Sequence, residues 1–254
     1  MTRRAQPRVV LVGGPETLLG AERGLRDHGV RVDRVPVLRY VPIPSHRLQR
    51  QLDRFGPYDL LLLTSPAAVR AMARARALPP VRSPHRTPSV LAGGPATARA
   101  ARVAGLSVRW RTAEGVGRAV IRPLRSGGPR RIVYPRSNRA GPELAARLRG
   151  QGHTVLDLVA YRVLPVSRLN REAQLHLLGA DRLVATSPSA LSSLRRAIAP
   201  RTFRQLRDRR NLVVLGERSA RAARGHGFAG VRTLANVRDE AVVRALRRGF
   251  ERDR

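Results

Sequence analysis

The sequence predicts an α/β protein of two doubly wound, flavodoxin-like parallel-sheet domains. Three observations carry this. Short apolar runs alternate with Ala-, Leu- and Arg-rich stretches of helical period along the whole chain. The second half repeats the first at a nearly constant offset. Each half also contains one extended, proline-bounded run at an equivalent place, 36–42 and 158–165. Regular strand–helix alternation argues for parallel sheets covered by helices on both faces. Five strands per half suit the doubly wound order.

In the first half the runs at 9–12, 30–35, 60–63, 90–92 and 108–110 are apolar, short and bounded by turn residues, which is the pattern of a buried strand. Between them, 18–25, 48–52, 67–78, 96–103 and 116–124 have the spacing of amphipathic helices. The second half repeats this order. Its strands are expected at 132–134, 155–161, 183–186, 212–215 and 231–234, and its helices at 142–148, 169–178, 188–198, 219–224 and 239–248. Residues 79–88 carry four prolines and read as a surface loop, and Ser126-Gly127-Gly128-Pro129 reads as the turn between halves.

The repeat is specific where its residues are. Asp59, Thr64, Ser65, Pro66 and Ala68 return 122 positions later as Asp181, Thr186, Ser187, Pro188 and Ala190. Gly94, Ala98 and Gly105 return as Gly216, Ala220 and Gly227. Upstream the offset is 123, pairing Leu25, Gly29 and Val32 with Leu148, Gly152 and Val155. A unit of this length is a domain rather than a solenoid repeat. Two similar domains imply a cleft, and clefts between domains take small ligands.

Composition narrows the class. A chain of 254 residues suits two domains. No apolar run approaches the length of a membrane span, and Gly13-Gly14-Pro15 interrupts the only early apolar stretch, so neither a span nor a signal peptide is expected. The absence of cysteine excludes disulfides and thiolate chemistry and suits a cytoplasmic protein. All 50 basic residues are Arg, set against 17 acids, for a net charge of +33. An Arg-for-Lys composition bias explains the missing Lys, while a polyanionic partner explains the shortage of acids. No helix-turn-helix or interleaving of aromatic with basic residues points to nucleic acid.

The chemistry is expected at helix N-termini. Thr64-Ser65-Pro66 and Thr186-Ser187-Pro188 each follow a strand and open a helix, with Ser as N-cap and Pro at the first helical position. Gly94-Pro95-Ala96-Thr97 and Gly216-Glu217-Arg218-Ser219 stand at the next strand–helix junction of each half. Free N–H groups and a partial positive charge make such ends carboxylate or phosphate sites, although each hydroxyl equally serves as a simple cap. Ligands of parallel sheets bind at these carboxyl ends of strands. Nucleotide loops, metal-ligand spacing among the six His residues and the G-x-S-x-G nucleophile motif are all missing. Tyr161, in the second extended run, is either a packing residue or a phenol able to protonate a leaving hydroxyl.

Taken together, 58–66, 92–98, 144–161, 181–189 and 215–227 give the chain a resemblance to the uroporphyrinogen-III synthase family over essentially its whole length. The resemblance implies two flavodoxin-like domains joined by a two-stranded linker: 1–36 with 166–254 in one, 43–157 in the other, and 37–42 and 158–165 as the linker strands. It implies a lyase that cyclises hydroxymethylbilane, with loss of water and inversion of the last pyrrole, and that uses no metal or organic cofactor. The substrate is a polycarboxylate linear tetrapyrrole handed on by hydroxymethylbilane synthase, and the enzyme is expected as a cytoplasmic monomer without membrane or nucleic-acid partners. Tyr161 matches the family's proton donor. The carboxylates would be met at Ser65, Gly94, Thr97, Arg136, Ser187, Ser189, Gly216 and Ser219, mostly through backbone amides. The chain departs from the family where Gly13-Gly14-Pro15 replaces Thr-Arg-Pro and Ser219 replaces Thr. This leaves room for a non-catalytic tetrapyrrole-binding or regulatory relative.

Overall fold

The structure is a computed structural model, described for residues 6–79, 88–111, 124, 128–209, 211–235 and 238–252. All but Leu124 of the helix expected at 116–124, most of the 79–88 loop with His85, and part of the 126–129 turn lie outside these residues. The elements run in chain order β1 (Arg8–Gly13), α1 (Leu19–Asp27), β2 (Arg31–Pro36), β3 (Leu38–Pro42), α2 (Ser45–Phe55), β4 (Leu60–Leu63), α3 (Pro66–Arg74), β5 (Ser89–Ala92), α4 (Pro95–Val103) and β6 (Val108–Arg111). They continue with β7 (Arg131–Ser137), α5 (Glu143–Arg149), β8 (Thr154–Pro165), α6 (Arg171–Leu178), β9 (Arg182–Ala185), α7 (Pro188–Ala197), α8 (Pro200–Asp208), β10 (Leu212–Leu215), α9 (Glu217–Gly225), β11 (Val231–Leu234) and α10 (Asp239–Arg252).

The chain divides into two compact units, Met1–Arg39 with Leu164–Arg254, and Tyr40–Val163. The first unit holds a sheet of order β11-β10-β9-β1-β2, every pairing parallel. The second holds β3-β8-β7-β4-β5-β6, parallel from β8 to β6. Along β3 and β8 the partners run in opposite directions. Val166 donates its N–H to Val37 O at 2.9 Å, and Ile43 donates to Ala160 O at 3.0 Å. Each parallel sheet therefore combines two strands from one half of the repeat with three from the other. Set from β2 and from β8, both read as the flavodoxin order 2-1-3-4-5 once the repeat is aligned.

Burial on both faces follows from strand alternation. In β4, Leu60 and Leu62 pack on one side with Leu91, Ile132, Tyr134, Leu144 and Leu148. Leu61 and Leu63 pack on the other with Leu48, Val69, Met72, Val133 and Leu158. In the other unit, Val9 and Leu11 pack with Leu25, Val184, Val213, Val242 and Leu246. An uninterrupted apolar tetrapeptide such as Leu60–Leu63 needs two helical layers to cover it.

The repeated glycines have a backbone reason. Gly29 and Gly152, paired by the repeat, take φ of 71° and 84° just past α1 and α5. The residue after each donates its N–H back to Leu25 O and Leu148 O, closing the two helices in the same way.

Two elements differ from the sequence expectation. The strand expected at 155–161 and the linker strand expected at 158–165 form one unbroken strand, β8, over 154–165, whose far end pairs with β3. α8 has no counterpart among the expected helices. Only Phe203 and Leu206 of its nine residues are buried, too few to mark a stripe in an Arg-rich segment, and Pro200 at its first turn starts it.

Candidate functional site

In the Tyr40–Val163 unit, chain connections leave β7 toward β8 on one side and β4 toward β5 on the other. The strand order thus reverses between β7 and β4, and open α/β sheets bind ligands at the carboxyl ends of strands beside such a reversal. A pocket of about 430 Å³ lies there. Thr64 and Ser65 line it from the end of β4, Tyr134, Arg136 and Ser137 from β7, Glu143, Leu144 and Arg147 from α5, and Tyr161 from β8.

Ser65 caps α3. Its Oγ accepts the Ala68 N–H at 3.1 Å, and Pro66 occupies the first helical position. The same Oγ lies 3.1 Å from the Tyr161 hydroxyl. Tyr161 is only 7% exposed, and its ring packs against Tyr40 with centroids 5.6 Å apart. Packing and proton donation, the two sequence readings of this residue, are therefore compatible: the ring is held in the core and the hydroxyl reaches the pocket.

Tyr134 comes up from the opposite face of the sheet and is 3% exposed. Burial, first of all, pushes its phenol above the usual range; a hydrogen bond with Thr64 and the nearby Arg136 pull it back, and Asp157 and Tyr161 push it up. It stays protonated at neutral pH. Successive hydroxyl residues, Thr64 and Ser65, thus each hold one phenol.

Arg136 is tied down. Its Nε and Nη2 donate to the two Asp157 carboxylate oxygens, the latter at 2.9 Å, and Nη1 donates to Ser137 O at 2.9 Å and Ala140 O at 2.7 Å. The hydrogen bonds to Asp157 are the main reason its guanidinium is raised above the ordinary value, with burial acting the other way. Its charge is balanced, and its donors hold the turn from β7 to α5. That turn is clamped again where Asn138 Oδ1 accepts the Val163 N–H at 2.8 Å and Arg139 Nε donates to Val163 O at 3.1 Å. Arg147 is an exposed cation at the edge of the pocket.

Of the residues singled out from sequence, Ser65, Arg136 and Tyr161 meet in this pocket. Gly94 and Thr97 open α4 after the neighbouring strand β5 and are not among the pocket lining; Gly94 is its N-cap, and Thr97 is 3% exposed. Ser187, Ser189, Gly216 and Ser219 belong to the other unit. There Ser187 caps α7, accepting the Ala190 N–H at 3.2 Å, with Ser189 Oγ at 3.0 Å. Gly216 caps α9, and Ser219 is 2% exposed. At the order reversal of that unit, between β1 and β9, a Cβ on Gly13 would overlap Thr186 Oγ1. A side chain at position 13 would push the Thr186 hydroxyl aside, so glycine leaves that hydroxyl its place. Thr64, named with Ser65 as part of a helix-opening motif, lines the pocket too, whereas Tyr134, Glu143 and Arg147 were missed by sequence reasoning. A tyrosine inside the apolar run 132–134 reads as core, and only its spacing two before Arg136 hinted at a place near the strand end.

Among the described residues no group of three or more His, Asp or Glu is arranged to hold a metal ion, and no helix is long and apolar enough to cross a membrane.

The family profile described as Uroporphyrinogen-III synthase HemD matches residues 21–244. No curated protein matches the chain significantly in sequence. A triple mutant of uroporphyrinogen III synthase from the extremely thermophilic bacterium Thermus thermophilus superposes with a TM-score of 0.58 at 23% identity, covering 97% of this chain and 99% of that one. The uroporphyrinogen-III synthetase of Helicobacter pylori gives 0.59 at 15% identity, with coverage of 95% and 99%. At these identities the two structures speak for the fold, and the profile speaks for the family. The profile match spans most of the sequence, and the two-sheet α/β architecture agrees with it: the chain belongs to the uroporphyrinogen-III synthase family, whose members serve tetrapyrrole biosynthesis.

Proposed function

We propose that the protein is a dehydrating cyclase, a lyase that converts hydroxymethylbilane into uroporphyrinogen III with inversion of the last pyrrole. The observation that carries this reading is the Tyr161 hydroxyl, fixed at the order reversal of its sheet, in a pocket, with a hydroxyl partner at 3.1 Å. Departure of the substrate hydroxyl as water needs a proton, and Tyr161 is the donor in this reading. The substrate's carboxylates are met by backbone N–H groups at helix N-termini, at Ser65, Gly94 and Thr97 in one unit and at Ser187, Ser189, Gly216 and Ser219 in the other. Arg136 acts chiefly by shaping the β7–α5 turn that presents Ser137 and Arg147.

In the same reading the two domains are 1–36 with 166–254, and 43–157, with 37–42 and 158–165 as linker strands. The enzyme works as a cytoplasmic monomer and receives its substrate from hydroxymethylbilane synthase. A second reading, a relative that binds the tetrapyrrole without turning it over, is favoured by one observation: Gly13-Gly14 stand where the family carries Thr-Arg, so that arginine is missing.

The deciding experiment supplies purified protein with hydroxymethylbilane and separates the isomers formed. Accumulation of type III product ahead of the spontaneous type I background is the expected result. Type I alone, accompanied by saturable binding of the linear tetrapyrrole, would leave the binding-only reading in its place.

A further inference from the structure

Ser65 sits between a helix end and a phenol. Its Oγ accepts from Ala68 N, and its contact with the Tyr161 hydroxyl at 3.1 Å can run in either direction while the phenol keeps its proton. Once that proton has been given away, the choice disappears. The only hydrogen left between the two oxygens is that of Ser65, so Ser65 donates to the phenolate. The bond is neutral before the transfer and charge-assisted after it, and charge-assisted hydrogen bonds are about twice as strong. An interaction that strengthens as charge develops lowers the barrier instead of merely tightening binding. The Ala68 N–H and the partial positive charge of the α3 N-terminus polarise the Ser65 hydroxyl in the same sense. Arg70, one turn further along α3, feels the same phenol. Burial and Arg74 hold its guanidinium below the ordinary value, and negative charge on Tyr161 works against both.

We propose that Ser65 is the positioning residue of Tyr161, holding the phenol toward the pocket and donating to the phenolate as it forms. This rests on the reading of Tyr161 as proton donor. The phenol proton passes to the oxygen of the substrate's hydroxymethyl group. The C–O bond breaks with its electron pair leaving on oxygen as water, and the pyrrole nitrogen's pair fills the vacated carbon. The phenolate, held by Ser65, takes a proton back when the newly closed ring carbon sheds its hydrogen. No outside reactant is required.

Capping and positioning can be separated, because glycine is nearly as good an N-cap as serine but has no hydroxyl. Ser65→Gly should keep the wild-type melting temperature to within about 3 °C, since the cap change is worth only a few tenths of a kcal/mol. Its kcat for type III formation should fall about ten-fold, and no further than in Tyr161→Phe, with KM changed less than about two-fold, as for a lost hydrogen bond to a charged group. Ser65→Thr, which restores the hydroxyl, should return kcat to within about three-fold of wild type. Combining Ser65→Gly with Tyr161→Phe should slow the reaction no further than Tyr161→Phe alone, because both remove one device. If Tyr161→Phe is slow while Ser65→Gly keeps full kcat, or raises KM instead, the positioning role is wrong and the Tyr161 reading stands. If Tyr161→Phe keeps the wild-type rate, the Tyr161 reading fails and takes this inference with it.

Discussion

Tyr161 and Tyr134 rise from opposite faces of one sheet, yet both hydroxyls are held at the end of β4, by Ser65 and Thr64. Removing the Tyr161 hydroxyl alone, as in Tyr161→Phe, leaves the ring on Tyr40, so folding should survive. Type III formation should slow about ten-fold or more, below the full range of a positioned acid because the substrate also loses water unaided. Isomer-resolved initial rates measure this. Arg136 lends itself to a test of stability. With Asp157 it forms a bidentate pair, both side chains mostly buried, so Arg136→Gln leaves a carboxylate short of partners. Denaturant titration should show a loss of about 2 kcal/mol, much of it recovered in Arg136→Gln with Asp157→Asn. These residues were unequally legible in the sequence. Ser65 and Tyr161 stood out as an N-cap and as a lone phenol in an extended run. The hydrogen bond between them, spanning 96 positions, could not be read from spacing. Neither could the partnership of Arg136 with Asp157, which turned an apparent free cation into a brace for a turn.

Elements with strong local signals formed as expected, while those defined by their neighbours were less legible: the full run of β8 as one strand, and α8 altogether. The apolar tetrapeptide Leu60–Leu63 and the Ser-Pro starts of α3 and α7 encode themselves. The far end of β8 is a strand only because β3 lies beside it, and α8 is a helix only because Phe203 and Leu206 find a surface to cover. That surface includes His226, the C-cap of α9. Its ring meets Phe203 edge-on at 6.4 Å, and its Nε2 lies 3.2 Å from Ser192 Oγ on α7, so one imidazole joins three helices. Burial first, and then Arg195 and Arg196, hold His226 below its usual 6.5. The folded state therefore prefers the neutral ring, and below the unfolded value the unfolded chain binds more protons. The stabilisation this gives is fully present above about pH 6.5 and is lost as pH falls toward the depressed folded value. Melting temperatures of wild type should drop between pH 7 and 5 more steeply than those of His226→Gln. Parallel curves would mean that the ring is solvated and its neighbours do not matter.

At the scale of the whole molecule, the repeat was legible because glycines and Thr-Ser-Pro motifs recur in register, and it explains why both sheets share one strand order. The purpose of the charge was not legible, because composition carries no positions. In the structure, Arg50, Arg54, Arg102, Arg204 and Arg248 stand exposed on α2, α4, α8 and α10, none of them lining the Tyr161 pocket. That spread is what an Arg-for-Lys bias leaves behind. Even with every one of the 17 acids paired, 33 guanidinium groups would remain in excess. Their mutual repulsion disfavours the compact state, and added salt screens it over about 10 Å at 0.1 M and less above that. Raising NaCl from about 50 to 500 mM should therefore raise the melting temperature, and sulfate should raise it further at equal ionic strength. A fall with salt would mean that surface ion pairs outweigh repulsion. The same excess predicts loose adsorption to arbitrary duplex DNA at low salt, with a steep salt slope and release near physiological ionic strength. Fluorescence anisotropy against an arbitrary duplex measures that slope. Tight binding retained at physiological salt would show that the arginines serve a nucleic acid after all, and the composition-bias account of the charge would fall.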